Sequence, residues 1–199
     1  MANSVREDFP QFVRNYKKKL SGNFFTLTPD KIDQYLNGDN FHVTRKYDGQ
    51  LAVLFFDGET VSAYNSGGNE YPALPCVGEA AACLKKAKVK EAILAAELYT
   101  DESKGRTRVF HSLAAVSDAA KQNTLRLAPF DIISFNGEEW DVFQKGGSYG
   151  DTHKKLSNIF NEAGAICAPV RYSVANSRDA VKKLFDDWVT GEGSEGLVV

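Results

Sequence analysis

Cysteine is scarce and unpaired in this chain: Cys76, Cys83 and Cys167 are odd in number and form no C-x-x-C spacing. Such a set argues against a disulfide framework or a zinc site and fits a reducing compartment. His42, His111 and His153 are scattered, which leaves a histidine-centred metal site or catalytic triad without support. There is no signal peptide and no apolar run long enough to span a bilayer. The protein is therefore expected to be soluble and intracellular (cytoplasm, nucleoid or nucleus), with no membrane partner. Excess charge is missing too. A net charge of −2 does not suit a surface wrapped in nucleic acid. No internal repeat or low-complexity linker breaks the chain.

What is present is ample apolar and aromatic material. With 199 residues, 43% hydrophobic and 12% aromatic, the chain can bury one real core, as one domain or one domain plus a small appendage. Its basic residues come in clusters at Lys17–Lys19, Lys85–Lys90 and Lys104–Arg108. These read first as solvated faces or loops, and they leave room for a local basic groove.

Periodicity predicts a helix from about Asp8 to Leu20, with Phe9, Phe12, Val13 and Tyr16 on one face. A second helix is expected between a Thr28 cap and Gly38, with Pro29 in its first turn. Phe41–Tyr47 reads as a strand, followed by a hairpin of Leu51–Phe56 and Glu59–Tyr64 around the two-residue turn Asp57-Gly58. Further on come a helix over 78–88, a strand over 91–99, a helix over 111–121, and a hairpin of 125–135 with 138–143 around Asn136-Gly137. The remainder alternates: helix from Thr152 to Ala163 ending at Gly164, extended chain over 166–174, a helix capped by Ser177 to about Thr190, then a last strand released by Gly191 and Gly193. Hairpins mixed with helices indicate an α+β fold.

Two segments carry candidate chemistry. Lys46 stands in Lys46-Tyr47-Asp48-Gly49, and the chain ends on Ser194-Glu195-Gly196-Leu197-Val198-Val199. A lysine at a strand end, beside a turn where backbone can approach a phosphate, suits a covalent nucleophile if burial or nearby charge frees its amine. K-x-D-G alone arises by chance in roughly one chain in twenty of this length. An ordinary hairpin with an exposed lysine is the plainer account of that tetrapeptide.

In this order the two segments resemble the first and fourth motifs of the covalent nucleotidyltransferases, which include ATP-dependent DNA ligases, RNA ligases and mRNA capping enzymes. Ala96-Glu97-Leu98-Tyr99 is similar to the third motif, and Pro129-Phe130-Asp131-Ile132-Ile133 to the strand whose ring stacks on the base. The resemblance covers Lys46 to Val199. It implies an α+β, ATP-grasp-like nucleotidyltransferase domain of antiparallel sheets flanked by helices, over 1–199, with residues 1–40 as its helical N-terminal part.

By that resemblance Lys46 takes AMP from ATP, Asp48 and Gly49 form the turn beside it, Glu97 meets the ribose or a metal, and Phe130 stacks on the base. Glu195 helps hold magnesium or manganese. The implied partners are nucleotide and nicked or broken DNA or RNA. Three departures stand out. Thr44 occupies a position often acidic in ligases, where adenine is read. Residues 64–69 lack the usual nucleotide-contacting arginine. The fifth motif, a lysine pair gripping the α-phosphate, does not occur before Val199. The chain is therefore expected to be a fragment of a longer protein, with a C-terminal domain absent from it and weak or no self-adenylylation. A guanylyltransferase, a non-catalytic nucleotide- or nucleic-acid-binding module of the same fold, and an unrelated α+β domain are the alternatives at this stage.

Overall fold

A computed structural model describes residues 8–101, 108–140, 146–161, 164 and 166–199. Helix α1 (Phe9–Gly22) opens the described chain, with Pro10 in its first turn. A 3-10 turn (Pro29–Lys31) and the short α2 (Ile32–Tyr35) stand in place of the single helix expected to reach Gly38. The C-cap Leu36 is already extended, so the helix stops before Gly38, which is at positive φ.

Strand β1 (Phe41–Lys46) leads to the hairpin β2 (Gln50–Phe56) and β3 (Val61–Asn65). Its turn is wider than Asp57-Gly58 suggests, because Phe56 pairs with Val61. The Asp57 carboxylate accepts the amides of Glu59 and Thr60 at 2.9 and 2.8 Å, drawing both residues into the turn. After α3 (Pro75–Lys86) come β4 (Ala92–Thr100), α4 (Val109–Ser117) and the long β5 (Leu125–Phe135). Asn136 and Gly137, both at positive φ, turn β5 into β6 (Glu138–Glu139). Trp140 is described and lies past the end of that strand, and 141–143 of the expected strand lie outside the described residues.

Helix α5 (Tyr149–Phe160) starts earlier than expected, since Ser148 and Asp151 form a capping box. Of its expected end, 162 and 163 lie outside the described residues. Strand β7 (Tyr172–Ala175), α6 (Arg178–Phe185), a π-helical segment (Asp186–Gly191) and β8 (Gly196–Val198) complete the chain. The Ser177 hydroxyl caps α6 through the Ala180 amide at 3.1 Å.

The strands form two antiparallel sheets. The large one has order β3-β2-β4-β5-β6, and the small one β7-β1-β8. The unbroken apolar run of β2 is explained by burial on both sides. Ala52, Leu54 and Phe56 join a core with residues of α3, α4 and α5, while Leu51, Val53 and Phe55 meet Phe9 and Val13 of α1. In the small sheet, Val43 packs with Ile32, Ala175, Val181 and Trp188. Alternation then puts His42, Thr44 and Lys46 on the opposite face of β1. Among the described residues, no helix is long and apolar enough to cross a membrane.

Candidate active site

Lys46 is the last residue of β1 and pairs with Gly196 at the start of β8. That register sets Glu195 beside it: the Lys46 ammonium forms an ion pair with the Glu195 carboxylate, and the Glu195 amide donates to the Lys46 carbonyl at 3.3 Å. The lysine side chain is 48% exposed, so it is not sheltered by burial.

The third member comes from the other sheet. The Gly49 amide donates to Glu97 Oε1 at 3.1 Å. Gly49 is required by crowding, since a Cβ there would lie 2.4 Å from the Leu98 carbonyl oxygen and 3.0 Å from Glu97 Cγ. Burial pushes the Glu97 carboxyl up to about 7; the Lys46 ammonium and the Gly49 amide pull it down, and Glu195 adds to the rise. Lys46, Glu97 and Glu195 therefore share one electrostatic site, drawn from β1, β4 and the approach to β8.

Asp48 is tied to α4 instead of to the turn alone. Its carboxylate accepts the Val109 amide at 3.3 Å and lies 3.9 Å from Arg108. Thr44 is buried in the middle of β1, between Tyr172 and Val198. Phe130 lies at a β-bulge: Ala96 pairs with Pro129 and Ala95 with Asp131, which leaves Phe130 unpaired between them. Its ring packs on the α1 side of the large sheet, the face that also carries Ala95 and, by alternation, Glu97.

Several neighbours of this site carry no local sequence signal. Glu192 accepts two bonds from Arg171, at 2.6 and 2.7 Å, and one from Arg45 at 3.3 Å. Arg171 stacks over the buried Trp188 ring at 4.5 Å, and the Ser194 amide bonds the Trp188 carbonyl at 3.0 Å. This network holds the Gly193–Glu195 approach to β8. In the arginine-free turn after β3, Asn65 Oδ1 accepts the amides of Gly67 and Asn69. Arg14 of α1 reaches that turn and donates to the Gly67 carbonyl at 3.1 Å. Arg108 is visible in sequence only as the end of a basic run, most of which lies outside the described residues.

The sequence model of the ATP dependent DNA ligase domain matches residues 23–199. The chain belongs to that family. Similar solved folds agree. The structure named Pmar-Lig_Pre has a TM-score of 0.61 at 14% identity, over 87% of this chain and 40% of its own. A structure from work on DNA binding by Lig E DNA ligases has a TM-score of 0.57 at 19% identity, over 83% and 56%. A putative ATP-dependent DNA ligase from Aquifex aeolicus gives 0.51 at 16%, over 86% and 43%. At these identities the likeness is one of fold. The chain spans about half the length of these structures or less. Among curated proteins, none matches the sequence. The two antiparallel sheets flanked by helices are those of a ligase nucleotidyltransferase domain, and α1 precedes the part that the ATP-dependent DNA ligase family defines.

Proposed function

We propose that the chain is the adenylation module of an ATP-dependent polynucleotide ligase, with Lys46 as its nucleophile. The observation that carries this is the convergence of Lys46, Glu97 and Glu195 from separate strands of two sheets. In the structure the Lys46 amine is engaged by the Glu195 carboxylate, beside a small cleft lined by residues 45–48 and 193–195. Attack on phosphorus therefore requires that this ion pair part.

The freed amine then attacks the α-phosphorus of ATP in line. A P–N bond forms, the bond to the α–β bridging oxygen breaks, pyrophosphate leaves, and an amine proton is lost to solvent. The lysyl-AMP next passes its adenylyl group to a 5′-phosphate end, and a 3′-hydroxyl displaces AMP to join DNA or RNA. The protein's share is positioning: β8 pairing holds Lys46 at the strand end, and Gly49 holds Glu97. Glu97 and Glu195 suit a magnesium or manganese ion, which when bound neutralises phosphoryl charge. Among the described residues no group of three or more His, Cys, Asp or Glu is placed to cage a metal, and magnesium needs only one or two carboxylates besides phosphate and water.

The test is incubation with α-labelled ATP and magnesium, followed by denaturing electrophoresis. With no lysine pair of the fifth motif within residues 1–199, label on the chain is expected to be weak at most, and any label should be absent from Lys46→Ala. Nucleotide binding that Lys46→Ala leaves unchanged, with no label from ATP or GTP, would reassign the chain to a non-catalytic binding module. Label from GTP alone would make it a guanylyltransferase.

A further inference from the structure

Phe130 is an unpaired residue in a bulged strand, and such a ring keeps one orientation only if something outside the ladder holds it. Two tyrosine hydroxyls from different helices do so. Tyr149, the first residue of α5, donates to the Phe130 carbonyl at 2.9 Å. Tyr16 of α1 donates to Asp131 Oδ2, on the next residue, at 2.9 Å. The bulge is thus gripped on consecutive residues from two directions.

Neither contact is an incidental surface bond. Burial raises the Tyr16 and Tyr149 hydroxyls, so both remain neutral donors. Burial also raises the Asp131 carboxyl, against the pull of the Tyr16 hydroxyl. Losing that donor would leave a mostly buried acid short of a partner, which is costly. Tyr149 lies beside Tyr172 at 6.0 Å between ring centroids, and Tyr172 stacks on His153 at 4.4 Å. The Tyr172 hydroxyl meets His42 Nδ1 at 2.7 Å, on the face of β1 shared with Thr44 and Lys46. One chain of contacts therefore connects the Phe130 bulge to the strand bearing Lys46. Its other grip, α1, stands outside the residues 23–199 that define the family domain.

We propose that Tyr16 and Tyr149 are positioning residues that clamp the bulge and fix Phe130 as the platform for the nucleotide base. The proposal rests on the nucleotide-site reading above. It is specific: the clamp acts on the base and leaves the phosphates alone.

The experiment is calorimetric titration of the 199-residue chain with ATP and with inorganic tripolyphosphate, which has no base. The proteins are wild type, Tyr16→Phe, Tyr149→Phe, Phe130→Leu and both double variants with Phe130→Leu. Thermal melts accompany each one. Each Tyr→Phe change is expected to weaken ATP about threefold to tenfold, the range of one lost hydrogen bond. Tripolyphosphate binding should stay unchanged, and the loss should vanish in the Phe130→Leu background. Asp131→Asn, which keeps an acceptor for Tyr16, should bind ATP like wild type. Equal losses for ATP and tripolyphosphate, or losses that persist undiminished in the Phe130→Leu background, would overturn the clamp. Wild-type ATP affinity in Phe130→Leu would overturn it too while leaving Lys46 chemistry intact. A folded wild type that binds neither ligand would overturn the nucleotide-site reading itself, and the clamp with it.

Discussion

At Glu97, burial outweighs the pull of Lys46 and the Gly49 amide, and the carboxyl rises from 4.5 to about 7. The folded state holds this proton more tightly than the unfolded chain. The stability gained is fully present below about 4.5 and lost as pH rises through about 7. Glu97→Gln should therefore raise stability above pH 7, by about 1–3 kcal/mol, and change little near pH 5. Melting curves from pH 5 to 9 check this; an equal shift at every pH would mean the charge plays no part. Lys46 and Glu97 are both legible in the sequence as candidate positions. Their mutual placement is not, because the long stretch of chain between them gives no periodic relation. The same holds for Gly49. Sequence reads it as a turn glycine, whereas contact with Leu98 of β4 is what excludes a side chain there.

Among the elements, the last helix and strand differ most from a periodic reading. Periodicity carries the Ser177-capped helix to about Thr190, but it widens into a π-helical segment at Asp186. That change buries Trp188 and brings Glu192 to Arg171 and Arg45. These pairs are partly exposed, so Glu192→Ala should cost under about 1 kcal/mol of global stability. Its local effect should be larger. Hydrogen exchange at the Ser194 and Glu195 amides is expected to speed up severalfold while the β2 and β4 amides keep their protection. Unchanged exchange at 194 and 195 would show that the Trp188 carbonyl and β8 pairing suffice. The hairpins are easier to read, because Asp-Gly and Asn-Gly turns between strand-forming runs are local signals. Even so, side-chain bonds from Asp57 reset the first turn, and such bonds leave no mark on periodicity.

For the molecule as a whole, the large sheet is buried on both faces, and the side covered by α3, α4 and α5 takes in all three cysteines. Burial pushes the Cys76 thiol up to about 11, and Cys83 and Cys167 are raised as well. None should react with a thiol reagent at pH 8 in the native protein, and all three should react after denaturation. Fast native labelling of any one would indicate that this core opens easily. Alternation, helical spacing, capping and turn chemistry are local rules. Applied to the chain, they yield the α+β class and most elements to within a few residues, while the candidate site residues come from the family resemblance. They do not bring Lys46, Glu97 and Glu195 together, close one face of the large sheet with α1, or set two distant tyrosines on the Phe130 bulge. Strand register and burial select those partners across the chain, and neither is encoded in the spacing of neighbouring residues.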